Sequence, residues 1–169
     1  PLVPDDEAAD MYLEAMELLE ASGYEQYEIS NACRPGRESR HNLKYWTEGS
    51  WVGFGCGAHS TVGAARWQNT TDIAEYVRRI EAGETAATLR RERSPRERLE
   101  EALFMGLRLT EGGSTGRILR DHGCDVWRAW GDVLEPFVAS GHLRHAGGRL
   151  RLTRQGMLLS NEVLSAFIE

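Results

Sequence analysis

The apolar residues change their period at Gly23, and that change decides which class of fold the chain can adopt. Over residues 5–21, Ala8, Met11, Tyr12, Ala15, Met16, Leu18 and Leu19 recur every three or four positions, with Glu14, Glu17 and Glu20 on the other side. A helical repeat of this kind predicts an amphipathic helix, and Gly23 supplies its stop. Residues 24–29 instead alternate aromatic or apolar with polar side chains, the period of a strand. Helix, short turn and strand in that order predict an α/β architecture.

The same reading continues along the chain. Residues 31–40 contain Pro35 and Gly36 and read as a loop, residues 41–46 as one helical turn, and residues 51–54 as a short buried strand running into Gly53, Gly55 and Gly57. Residues 60–68 have the pattern of a hairpin around Gly63. Residues 72–82 predict a helix with Ile73, Tyr76, Val77 and Ile80 inward and Gly83 as its stop. Pro95 opens a helix over residues 95–109, with Leu99, Ala102, Leu103, Met105 and Leu107 on its core face. Short helices follow at residues 114–121 and 132–140, the second kinked at Pro136. Residues 141–152 read as a hairpin turning at Ala146-Gly147-Gly148, and residues 153–167 as a closing helix. Three helices, a two-stranded wing and a last helix describe a small, mainly helical, winged-helix-like domain.

Charge divides the chain in the same region. The 169 residues carry a formal net charge of −6. Residues 1–94 hold 10 Lys and Arg against 16 Asp and Glu, whereas residues 95–169 hold 10 of each. A linker is expected at residues 88–95, separating domains at 1–93 and 94–169. The second domain is neutral, and a phosphate-binding surface needs a positive excess, so nucleic acid is not the expected partner and a docking module is the preferred reading. Arg144, Arg149, Arg151 and Arg154 keep the other reading open. No apolar run reaches the roughly 18 residues of a membrane span. Cys33, Cys56 and Cys124 are odd in number and far apart, which supports neither a disulfide scaffold nor a zinc site and suggests a reducing, cytoplasmic setting. The sequence opens on Pro1, without the basic and apolar regions of a signal peptide, and is expected to be a piece of a longer chain.

Chemistry-bearing residues concentrate between positions 24 and 67. On a helical turn, His41 can stand beside the rings of Tyr45 and Trp46. A heme would use each part: imidazole as an iron ligand, aromatic faces against the macrocycle, and Arg37 or Arg40 for the propionates. The alternative is that His41 and Asn42 cap a turn while Tyr45 and Trp46 fill a core. The alternate glycines allow close approach to a nucleoside-like ligand or serve tight packing, and His59 either faces a ligand or satisfies a buried hydrogen bond.

Several strings in this region form a family pattern: Gly23-Tyr24-Glu25-Gln26-Tyr27-Glu28-Ile29-Ser30-Asn31, Arg34-Pro35-Gly36, His41-Asn42-Leu43-Lys44-Tyr45-Trp46 and Gly53-Phe54-Gly55-Cys56-Gly57-Ala58-His59-Ser60. With Gly106-Leu107-Arg108-Leu109 and Leu152-Thr153 further on, the whole chain resembles the C-terminal half of radical S-adenosylmethionine proteins of the oxygen-independent coproporphyrinogen III oxidase family. The His-Asn-x-x-Tyr-Trp element is similar to the family's HemW-like heme-chaperone branch. Cys33 and Cys56 depart from the family's Ala and Pro, and Ser39 stands where Cys often precedes Arg-His-Asn.

The resemblance implies that residues 1–93 are the C-terminal portion of a partial parallel (β/α) barrel, with an exposed sheet edge that favours a homodimer. It implies His41 as the ligand to heme iron, with Arg40, Asn42, Tyr45 and Trp46 around it, and Gly57, Ala58 and His59 as contacts to S-adenosylmethionine. It further implies a heme chaperone that delivers heme to membrane or respiratory proteins, in the cytoplasm and peripheral to the membrane through those partners. The alternative in the same family is an oxygen-independent coproporphyrinogen III oxidase or dehydrogenase of porphyrin biosynthesis. The Cys-x-x-x-Cys-x-x-Cys motif that holds the family's 4Fe-4S cluster does not occur here, so no catalytic residue is assigned and this chain alone is not expected to perform radical chemistry.

Overall fold

A computed structural model describes residues 3–167. In chain order the elements are α1 (Asp5–Ala21), β1 (Glu25–Glu28), β2 (Asn31–Cys33), α2 (Arg40–Trp46), β3 (His59–Val62), β4 (Ala65–Gln68), α3 (Ile73–Glu81) and β5 (Arg91–Glu92). They continue with α4 (Pro95–Gly106), β6 (Gly113–Ser114), α5 (Thr115–His122), α6 (Val126–Ala139), β7 (Leu143–Ala146), β8 (Arg149–Leu152), α7 (Arg154–Leu158) and α8 (Ser160–Ser165). The chain divides into two compact units, Pro1–Thr47 with Glu100–Glu169, and Glu48–Leu99.

The first unit opens with α1, whose Asp5, Asp6 and Glu7 suit the positive end of a helix. The helix closes where the Gly23 and Tyr24 amides donate to the carbonyls of Glu20 and Leu19, both at 2.9 Å. Strands β1 and β2 form an antiparallel hairpin, so the predicted loop at residues 31–40 begins with a strand. The sheet β6-β8-β7 is also antiparallel, with Leu143 opposite Leu152 and Arg144 opposite Arg151. Leu107, Val126, Leu134, Leu143, Leu164 and Phe167 are almost fully buried, and the Phe167 ring meets Trp130 edge-on at 5.5 Å. These side chains form the core, with apolar burial as its main stabilising term.

Helix α6 begins earlier than its apolar pattern predicts, because Asp125 caps it through the Arg128 amide at 3.1 Å. Pro136 lies inside the helix and does not end it. The predicted closing helix is two helices that meet at Leu159.

In the second unit the sheet order is β3-β4-β5, all antiparallel. The hairpin around Gly63 lies where the sequence predicts it. The expected linker at residues 88–95 instead supplies β5, whose Arg91 and Glu92 pair with Arg66 and Ala65. The expected strand at residues 51–54 reduces to one bridge between Trp51 and Thr61, and Phe54 is 90% exposed. Asp72 caps α3 by accepting from the Glu75 amide at 2.8 Å. Glu75 lies 2.7 Å from Arg78 and 2.6 Å from Arg79, and these guanidinium hydrogen bonds lower its pKa to about 2.

Two expectations about faces fail for one reason. Met11 and Leu18 of α1, and Ile73, Val77 and Ile80 of α3, are exposed. An amphipathic pattern states which face can be buried, and only a neighbouring element decides whether it is. The parallel order that the resemblance implies for residues 1–93 does not occur among the described strands there: their ladders are all antiparallel. Two-residue turns at Ile29-Ser30, Gly63-Ala64 and Gly147-Gly148 join neighbouring strands directly, whereas a parallel pair needs a long crossover.

Candidate functional site

Helix α2 carries the histidine motif in the first unit. Ser39 is its N-cap, accepting from the Asn42 amide at 3.3 Å, so the residue that departs from the family pattern has a structural use here. His41 and Tyr45, four residues apart, stand on one face. Their rings meet edge-on at 5.1 Å, with the Tyr45 hydroxyl 3.4 Å from His41 Nε2. His41 is exposed and Tyr45 half-buried.

Trp46 serves a different purpose. Its half-buried ring is covered by the Arg108 guanidinium at 4.6 Å, a cation–π arrangement. Arg108 Nη2 in turn lies 3.6 Å from Glu28 Oε2, and Glu28 is 0% exposed. The other carboxylate oxygen, Oε1, accepts from the Ser30 amide at 3.0 Å and from Asn31 Nδ2 at 2.5 Å. Backbone bonds tie the same segments together: the Ile29 amide donates to Arg108 O at 3.0 Å, and the Thr110 amide to Tyr27 O at 3.1 Å. Asn42 Nδ2 reaches the Tyr27 hydroxyl at 3.5 Å.

Three stretches far apart in sequence thus converge: residues 27–31, α2 and residues 106–110. The buried Glu28–Arg108–Trp46 stack holds α2 by its inner face and leaves His41 and Tyr45 outward. Glu28 Oε2, Trp46 Nε1 and Arg108 Nε are buried without hydrogen-bond partners. Such a site is sensitive to substitution, because an uncompensated buried charge is costly.

The glycine segment lies in the second unit. A Cβ on Gly53 would stand 2.4 Å from His59 O, and Gly55 and Gly57 adopt φ of 108° and 71°, which side chains disfavour. The Gly57 amide donates to Thr70 O at 2.8 Å, and the Ala58 amide to Gly55 O at 3.3 Å. Asn69 Nδ2 donates to Gly55 O at 2.9 Å, and the Tyr76 hydroxyl accepts from the Gly55 amide at 3.1 Å. These glycines therefore build a self-bonded loop. His59, exposed at the start of β3, is the member of the predicted trio with a side chain open to a ligand.

Residues 94–159 match the family model described as the HemN C-terminal domain. Over 167 residues the chain is 36% identical to the heme chaperone HemW of Bacillus subtilis, covering 99% of this chain and 44% of that protein. It is 32% identical over 174 residues to the heme chaperone HemW of Escherichia coli, with the same two coverages. Nearly the whole of this chain is HemW-like. A solved structure, coproporphyrinogen III oxidase (HemN) from Escherichia coli, described as a radical SAM enzyme, shares its fold at a TM-score of 0.74 and 16% identity. That likeness covers 94% of this chain and 40% of the oxidase chain.

This HemW-like chain spans less than half the length of the curated relatives named above. Its thiols do not fit a 4Fe-4S cluster: Cys33, Cys56 and Cys124 do not group together among the described residues, and Cys56 Sγ donates to Thr70 O at 3.2 Å. Among the described residues no three His, Cys, Asp or Glu side chains group to hold a metal ion, and no helix is long and apolar enough to cross a membrane. Of the residues predicted around heme, His41 and Tyr45 share an accessible face, Arg40 is exposed beside them in sequence, and Asn42 and Trp46 are engaged inward. Arg108 and Glu28 were missed as site residues. The signal was present in the Glu-Ile-Ser-Asn and Gly-Leu-Arg-Leu strings, which sequence alone does not bring together.

Proposed function

We propose that the intact protein is a heme chaperone in which His41 ligates the iron of heme, its cargo, and from which heme passes to heme-dependent respiratory or membrane proteins. The observation that carries this reading is the outward His41–Tyr45 pair on a helix fixed from behind by Glu28 and Arg108. A neutral imidazole is a common ligand to heme iron, and the Tyr45 ring offers an edge against the macrocycle. The Arg40 guanidinium suits a propionate carboxylate.

On the same reading, residues 1–93 adjoin the parallel barrel of the intact protein, whose strands would come from residues outside this chain, and residues 94–169 form a winged-helix-like domain. The element order α4, β6, α5, α6, β7, β8 supports the second assignment. The intact protein would hold its 4Fe-4S cluster and S-adenosylmethionine with residues outside this chain, His59 being this chain's contribution. Together those groups supply one-electron reductive chemistry. The setting is cytoplasmic, peripheral to the membrane through the acceptor, and the protein is a homodimer.

Heme titration of the intact protein tests the ligand. His41→Ala should shift the Soret band and weaken heme binding at least about tenfold, a difference of about 1.4 kcal/mol. Equal affinity and an unchanged Soret band in both proteins would remove His41 from the site. Conversion of coproporphyrinogen III by the reconstituted protein would instead support the oxidase reading.

A further inference from the structure

The solvent face of the β7–β8 hairpin holds a charge arrangement that the heme reading does not use. Arg144 and Arg151 are directly opposite each other, between Leu143, Leu150 and Leu152, which point into the core. Like charges in cross-strand register repel, so the pairing is unfavourable unless something anionic lies between them. Their neighbours are compensated: Arg149 bonds the carbonyls of Glu111 and Gly112 and pairs with the Glu111 carboxylate, and Arg154 pairs with Glu20. Arg144 and Arg151 have no such partner among the described residues.

The two arginines line a cleft of about 350 Å³ that also contains Arg154, Glu20, Gln26 and Thr110. The protons of its other polar walls are committed elsewhere. Gln26 Nε2 donates to the Tyr12 hydroxyl and to Ile29 O, and Thr110 Oγ1 donates to Gln26 O. Free donors in the cleft are therefore guanidinium groups. Three guanidiniums against the one carboxylate of Glu20 leave two positive charges, in a chain whose net charge is −6.

We propose that this cleft is an anion site for a compact dianionic phosphate, either free phosphate or a phosphate monoester, gripped between the Arg144 and Arg151 forks. Planar guanidinium groups match phosphate oxygens bidentately, and cross-strand partners have Cβ atoms only about 5 Å apart, a span that one tetrahedral group bridges. The position of Glu20 sets the ligand class. Its carboxylate repels an extended polyanion lying across the cleft, whereas a single group reaching Arg144 and Arg151 leaves the Arg154–Glu20 pair intact.

Calorimetric titration of the intact protein with inorganic phosphate and glycerol phosphate, against sodium chloride at matched ionic strength, tests the site. Phosphate should bind, and Arg144→Gln and Arg151→Gln should each weaken it about tenfold or more, the size of one lost charge-assisted contact. Arg144→Lys should recover part of the loss, and Glu20→Gln should tighten binding. Affinity should fall below about pH 6, where a phosphate monoester takes up its second proton. Circular dichroism melts verify that each variant is folded, and the exposed positions of both arginines make this the expected result.

Sedimentation with vesicles of phosphatidate in phosphatidylcholine, against phosphatidylcholine alone, identifies the source. Binding lost in the two Gln variants assigns a lipid headgroup, and its absence alongside phosphate binding assigns a soluble ligand. Phosphate and phosphatidate binding unchanged by both Gln variants, or no binding of either, overturns the proposal. So does salt-sensitive binding of duplex DNA that phosphate does not displace. The His41→Ala variant should bind phosphate as the parent does, so the site stands or falls separately from the heme reading.

Discussion

Replacing Glu28 by Ala tests whether the buried stack behind α2 holds the site together. The carboxylate is fully buried and makes three contacts: Oε1 with the Ser30 amide at 3.0 Å and Asn31 Nδ2 at 2.5 Å, and Oε2 with Arg108 at 3.6 Å. Removing it leaves two donors unsatisfied and strands a guanidinium whose side chain is 24% exposed. Loss of one member of a buried pair costs about 3–5 kcal/mol, and the two hydrogen bonds alone, at about 1.5–3 kcal/mol each, give a similar figure. Glu28→Gln keeps an acceptor for Ser30 and Asn31 and loses the charge, so it should cost about 1–3 kcal/mol.

Urea unfolding of the intact protein measures both, and a double-mutant cycle with Arg108→Met isolates the pair. Because Arg108→Met removes the stranded charge, the double variant should be more stable than the sum of the single costs predicts. A coupling energy of about 0.5–3 kcal/mol is expected. A Glu28→Ala cost below about 1 kcal/mol, or a coupling within about 0.3 kcal/mol of zero, would refute the argument, since distant independent sites add to within that margin.

The remaining predictions concern the elements around the two sites. Ser39→Ala should destabilise α2 by about 1 kcal/mol, seen as faster amide exchange at Asn42, because Ser39 is that amide's acceptor. Gly156→Ala places a Cβ 1.8 Å from His142 O, a backbone atom that cannot swing aside, and should cost about 1–3 kcal/mol or more in denaturant unfolding. Glu75 has its carboxyl lowered from 4.5 to about 2 by Arg78 and Arg79. Its contribution is therefore present above pH 4.5 and lost as pH falls toward 2. Melting temperatures between pH 5 and pH 2 should decline more steeply for the parent than for Glu75→Gln.

Much of the site was legible because its motifs are local. The helical turn carrying His41 and the strand carrying Glu28 lie where the sequence predicts them, and the spacing of His41 and Tyr45 by four residues is enough to bring their rings together. The role of Trp46 was not legible, since the residue that covers its ring, Arg108, lies 62 positions away in sequence. The strand read at residues 51–54 fails because apolar character alone does not supply a pairing partner, and Phe54 remains in solvent. Conversely, Arg91 and Glu92 look like a charged linker and become a strand because the edge of β4 offers backbone groups to pair with.

What the sequence by itself determined is what depends on near neighbours. Gly23 ends α1, Asp72 starts α3, and Gly147-Gly148 turns the β7–β8 hairpin, because caps and tight turns are set within a few residues. Tertiary structure alone decided which apolar faces are covered, that β5 pairs with β4 and β6 with β8, and that Glu28, Trp46 and Arg108 meet. Those outcomes depend on desolvation and charge pairing between segments far apart in the chain. Local periodicity is nearly silent about such contacts, and it is the folded arrangement that turns His41 outward while keeping Trp46 in.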